Sequence, residues 1–227
     1  VRGIAVLQIT NLKKVFNKIE MIVDANYTFD KGGVYPVIGA HGSGKTLLCE
    51  CIAGLCRPDG GEIYISGDGS AIMVHEDSTL PPYLTVREYL GYMCSSEEAD
   101  VACEEAGVPQ EVYDHLIGAC DKETRKRLQM AVVLIKKPYV IALDAPFDYC
   151  SEEFFNDMMP IIDELKDKHI IIVTSGNVDV ARSLSGDVIV LNNGELNAVT
   201  DESFEIPEIR QAVIDLLAGG EDDDEIN

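Results

Sequence analysis

One octapeptide constrains this chain more than any other feature. Gly39-Ala40-His41-Gly42-Ser43-Gly44-Lys45-Thr46 fits the pattern GxxxxGK[ST]. It follows a compact apolar run, Val34–Ile38, that reads as a strand. It precedes Leu47–Leu55, which reads as a buried helix. The chemistry of phosphate binding needs these residue types in this order. Glycines let consecutive backbone N–H groups turn inward around phosphate oxygens, and the start of a helix adds partial positive charge. Lys45 reaches the terminal phosphates, and Thr46 offers a hydroxyl to Mg²⁺. The cradle is thus Gly39, Ala40, His41, Gly42, Ser43, Gly44, Lys45, Thr46 and the adjoining Leu47.

A second element supports a nucleotide site. Val140-Ile141-Ala142-Leu143 is an apolar strand ending in Asp144. At the carboxyl edge of a parallel sheet such an acid lies beside the phosphate loop and can orient Mg²⁺. The rest of the chain agrees with an α/β core. Short β-type segments are expected at Ile4–Ile9, Asn26–Phe29, Glu62–Ser66, Ala71–Val74, Ile170–Thr174 and Asp187–Leu191, with a hairpin turn at Asn193-Gly194. Helices are expected over Thr85–Met93, with Thr85 as N-cap and Glu88 three later, over Ser151–Lys166 and over Pro207–Ala218. Between Ser95 and Lys136 the pattern reads as helical and acidic, broken at Pro109. The spacing predicts one domain over 1–220 with a helical insert at about 84–136. The acidic tail, 221–227, is expected to be disordered. Alternating strands and helices imply a mainly parallel sheet covered on both faces.

Charge narrows the partners. Asp and Glu number 40 against 18 Lys and Arg, a net of −22. So acidic a surface repels nucleic acid backbones, and no nucleic acid partner is expected. No apolar run is long enough to span a bilayer, and Val1–Thr10 lacks the apolar core of an export signal. The seven cysteines form no CxxC pair. They read as reduced, mostly buried thiols of a cytosolic protein.

Beyond these motifs the chain resembles the ATP-binding domain of ABC transporters over nearly its whole length. The resemblance is carried by Leu7–Phe16 (LQITNLKKVF), Gly39–Cys56 (GAHGSGKTLLCECIAGLC), Pro58–Ile65 (PDGGEIYI), Leu84–Leu90 (LTVREYL), Lys137–Pro146 (KPYVIALDAP) and Asp187–Leu196 (DVIVLNNGEL). It implies an α/β ATP-binding core with a mainly parallel sheet, an antiparallel β subdomain and a helical subdomain. It implies ATP and Mg²⁺ as cofactors. It puts Phe16 where the family stacks an aromatic on adenine, although Phe16 also reads as a core aromatic. It puts Glu76 where the family has a Mg²⁺-contacting Gln, with Thr46 and Asp144 as the other metal contacts.

The departures from the family pattern are as informative. Its general-base Glu is replaced by Ala145, and its switch His by Gly176. The stretch aligned with the LSGGQ signature is Cys120-Asp121-Lys122-Glu123-Thr124, without either glycine. Its Asp121 and Glu123 are expected to oppose closure over a partner's γ-phosphate, and the family's next conserved Asp is replaced near Ser151. The resemblance therefore implies an ATP-binding subunit with little or no hydrolysis of its own, no catalytic residue being assigned. Its partners would be an integral membrane permease and a possible second ATP-binding subunit, and it would lie peripherally on the cytoplasmic face of a membrane. The alternative is a nucleotide-responsive scaffold or regulatory protein outside transport.

Overall fold

The computed structural model describes residues 6–76 and 80–218. The expected acidic tail and the first two residues of the segment Ile4–Ile9 lie outside these. The chain begins with strands β1 (Leu7–Phe16), β2 (Ile19–Phe29) and β3 (Gly33–Ile38), then helix α1 (Lys45–Ile52) and strands β4 (Gly60–Ile65) and β5 (Ala71–Val74). Helices α2 (Val86–Gly91), α3 (Ser96–Glu105) and α4 (Lys122–Lys136) come next, followed by β6 (Val140–Leu143), α5 (Glu152–Leu165) and β7 (Ile170–Ser175). The last elements are α6 (Val178–Leu184), β8 (Val188–Asn192), β9 (Glu195–Val199), α7 (Asp201–Phe204) and α8 (Pro207–Ala218).

The strands form two sheets. One is antiparallel, in the order β2-β1-β4; the other has the order β5-β6-β7-β3-β8-β9 and is parallel except for the β8–β9 hairpin. This is the expected α/β core with an antiparallel β unit. β1 and β2 are longer than their sequence suggested. The polar residues Asn11, Lys13 and Lys14 interrupt the apolar alternation, and the β1–β2 pairing shifts register there. Asn17 and Lys18, both at positive φ, close this hairpin in two residues.

The larger sheet divides the core by strand alternation. Ile170 and Ile172 of β7 face the antiparallel sheet and α1, with Leu7, Phe29 and Leu48. Ile171 and Val173 face the opposite side, with Leu128 of α4 and Phe154 and Ile162 of α5. The interior strands β6 and β7 are therefore buried on both faces, which is why they read as unbroken apolar runs.

The segment between β5 and β6 is only partly α-helical. The Thr85 and Ser95 hydroxyls each accept from the N–H of a Glu three residues on, and Glu88 and Glu98 accept in return from the cap N–H groups. After Pro109 the chain makes two 3₁₀ turns, Gln110–Val112 and Ile117–Ala119, before α4 begins. The break expected at Pro109 falls just after Gly107, at φ 68, ends α3, and the segment beyond it is 3₁₀ rather than α-helical until α4.

Candidate nucleotide site

The sheet topology assembles the site at one edge. β3 lies between β7 and β8, and β6 lies on the far side of β7. Ile38 is paired with Ser175, and Leu143 with Val173. The phosphate loop, Asp144 and the segment after Ser175 therefore all leave the carboxyl ends of neighbouring parallel strands, where α/β sheets hold ligands.

The loop itself is closely built. Gly44 caps α1 at φ 98, a conformation that favours glycine. A Cβ on Gly39 would lie 2.6 Å from the Ser43 hydroxyl and 2.7 Å from the Leu191 carbonyl, so this position also needs glycine. Lys45 curls back over the loop, its Nζ donating to the carbonyls of Gly39 at 2.7 Å and Ala40 at 2.8 Å. Burial lowers the Lys45 pKa, and the charges of Asp148 and then Asp144 push it back up. The Ser43 hydroxyl is buried with no hydrogen-bond partner among the described residues. His41 and Thr46 are exposed, while Leu47 is half-buried.

Asp144 is 4% exposed and accepts from the Thr174 hydroxyl at 2.8 Å. The same hydroxyl accepts from the Ala145 N–H at 2.9 Å. Ala145 is at φ 41 and buried. Its carbonyl and that of Pro146 accept from the Lys126 ammonium at 3.2 and 2.7 Å. Lys126 is 2% exposed, and it ties α4 to the loop after β6.

Asp148 is the site residue that sequence reading missed. Its carboxylate accepts from the Ser175 hydroxyl at 2.8 Å and from the Gly176 N–H at 3.1 Å. A carboxylate thus holds the segment that follows β7. It is also the largest favourable charge acting on Lys45. Nothing in the local sequence Phe147-Asp148-Tyr149 signals this, because the contact spans 27 residues and exists only once β6 and β7 pair.

The structure places the remaining candidates as follows. Glu76, just after β5, pairs with Lys122 at the start of α4, Oε1 to Nζ at 3.5 Å. Phe16 ends β1 and is 53% exposed, so it is not a core aromatic. Its hairpin runs beside the phosphate loop, since a Cβ on Gly44 would lie 3.5 Å from the carbonyl of Met21 in β2. Asp121 is the N-cap of α4, accepting from the Thr124 N–H at 2.7 Å and its hydroxyl at 2.9 Å. Glu123 accepts from the N–H and hydroxyl of Ser151 at 2.7 and 3.1 Å. Both acids of the signature stretch are therefore engaged within the chain.

Comparison with known proteins agrees with the geometry. The ABC transporter family profile matches residues 22–148. The chain is 27% identical over 88% of its length to the spermidine/putrescine import ATP-binding protein PotA of Fusobacterium nucleatum. It is 29% identical over 78% of its length to the molybdenum import ATP-binding protein ModC of Rhizobium etli. It spans 59% and 56% of the lengths of these two relatives. Its fold matches a post-hydrolysis dimer of the ATP-binding cassette MJ0796 bound to ADP and Pi, with a TM-score of 0.76 at 20% identity, covering 86% of this chain and 98% of that one. On the phosphate loop, the sheet order and the matched profile together, the chain belongs to the ABC transporter family as an ATP-binding domain.

Proposed function

We propose that the chain is the ATP-binding subunit of an ABC-type membrane transporter, one that holds ATP–Mg²⁺ with little or no hydrolysis of its own. The observation that carries this reading is the pairing of an intact phosphate loop with Ala145 and Gly176 at the two positions that would convert the nucleotide. The residues present fit the nucleotide. The buried Ser43 hydroxyl lacks a partner in the protein, and the Lys45 ammonium, held by loop carbonyls, is set to exchange them for phosphate oxygens. The loop from Gly39 to Leu47 would cradle the phosphates. Thr46, Asp144 and Glu76 would supply hard oxygen donors to Mg²⁺, and exposed Phe16 would offer a face to adenine. ATP–Mg²⁺ supplies a transferable phosphoryl group. The chain withholds the proton acceptor that a water nucleophile requires, which typically forfeits about 10²–10⁴ in rate.

The relatives support transport as the setting, since two are import ATP-binding proteins. Among the described residues no helix is long and apolar enough to cross a membrane. In this reading a permease holds the chain peripherally at the cytoplasmic face, docked in the groove between the core and the helical insert, with a second ATP-binding subunit beside it. A nucleotide-responsive scaffold outside transport is the second reading, favoured by the engagement of Glu123 with Ser151 inside one chain. Purification of the native protein from membranes separates the two. A co-purifying integral membrane subunit supports transport, and recovery in the soluble fraction alone contradicts it.

A further inference from the structure

We propose that Cys51 and Cys56 form a reversible dithiol–disulfide site at the carboxyl end of α1, oxidised by small disulfides of the glutathione class. Their sulfurs are 3.2 Å apart. Closing that gap to the roughly 2.05 Å of a disulfide takes a shift of about 1.2 Å. Local structure permits it. Cys51 is in the last turn of α1 and Cys56 lies just beyond it, past a reversal in which Gly54 has φ 70 and the N–H groups of Leu55 and Cys56 both donate to the Glu50 carbonyl. No strand pairing has to break.

The two thiols differ in access. Cys51 is 4% exposed, and burial first, then the neighbouring Cys56 thiol, push its pKa up to about 12. It therefore stays protonated at neutral pH, and either sulfur can donate in the contact between the two. Both thiols line an open cleft of about 920 Å³ between α1 and β4, but Cys56 is half-buried where Cys51 is buried, so a dissolved disulfide reaches Cys56 first. The segment carrying it is held in place. Lys14 of β1 donates to the Arg57 carbonyl at 2.8 Å and pairs with Asp59 at 3.1 Å, and its charge also favours ionisation of Cys51.

The reaction balances in two exchanges. The Cys56 thiolate attacks RSSR, forming a Cys56–S–S–R bond and releasing RS⁻. Cys51 gives its proton to solvent and attacks Cys56 Sγ, expelling the second RS⁻. The pair loses two electrons and two protons, and RSSR becomes two RSH. The site differs from Cys49, which is fully buried against Met73 and Ala142 and has no route for an oxidant.

The test uses the full chain equilibrated in oxidised and reduced dithiothreitol at graded ratios. The protein is then acid-quenched, unfolded, alkylated and digested with trypsin. Because trypsin does not cut before Pro58, the peptide is Thr46–Arg87, which contains Cys49, Cys51 and Cys56 and no other cysteine. The expected result is loss of two of its three alkyl labels with one midpoint, fragmentation placing the remaining label on Cys49. Cys51→Ala and Cys56→Ala should each abolish the loss while circular dichroism shows the fold retained. Three labels at every ratio, a bridge that includes Cys49, or a bridge formed only in denaturant would overturn the proposal.

Discussion

Lys45, Asp148 and Ala145 make opposite demands on a bound nucleotide. Replacing Lys45 with Ala removes a charge-assisted contact, and ATP binding measured by calorimetry should fall below detection with the fold intact. Asp148 places a negative charge beside the same ammonium. Asp148→Asn should tighten ATP binding about tenfold, or about 1.4 kcal/mol, because amide and carboxylate differ mainly in charge; unchanged affinity would show that the Ser175 and Gly176 contacts absorb it. Ala145→Glu alone should leave phosphate release near the unmodified rate, since Gly176 still offers no imidazole. The residues behind these predictions were unequally legible. Lys45 and Asp144 lie in patterns whose spacing is fixed by local chemistry. Asp148, Lys126 and the Glu123–Ser151 contact join positions 19 to 28 residues apart and depend on packing that no local pattern encodes.

Helix α4 is the element that joins the site to the segment between β5 and β6. At its start Lys122 meets Glu76, one residue on Glu123 holds Ser151, and one turn further on Lys126 clamps the loop after Asp144. Lys126→Met leaves two buried carbonyls without their donor, so it should cost roughly 1–3 kcal/mol in urea unfolding and loosen nucleotide binding as the loop relaxes. The caps of α2, α3 and α4 set an acid limit. Hydrogen bonds from cap N–H groups hold Glu88 and Glu98 below the usual 4.5, and the Thr124 N–H holds Asp121 below 3.8. Depressed folded values mean that these carboxylates stabilise the protein above their ordinary values and lose that contribution as pH falls through the lowered ones. The thermal midpoint should therefore drop below about pH 4.5, less steeply in Glu98→Gln, which has no charge to lose. The α2 cap was readable from Thr85 and Glu88. The 3₁₀ turns after Pro109 were not, because acidic residues on either side preserve a helical texture that the backbone does not follow.

At the scale of the whole molecule, a chain that binds without converting can only bias an equilibrium between conformations, by its difference in affinity for them. A tenfold preference amounts to about 1.4 kcal/mol, enough to tune an assembly and too little to power transport. The fold class was legible because alternating strands and helices flank a phosphate loop. The assembly was not, since the charge of −22 excludes partners more readily than it names them. With Asp121 and Glu123 engaged inside the chain, light scattering should show a monomer with and without ATP–Mg²⁺. An ATP-driven homodimer would show that the signature stretch can still close over a partner. The most direct test of binding without conversion is a single-turnover experiment with γ-labelled ATP–Mg²⁺ and excess protein. ATP should be retained on the protein, with phosphate release equal to that of Lys45→Ala. Release at about 1 s⁻¹, within the ordinary enzymatic range, and lost in Lys45→Ala, would contradict it.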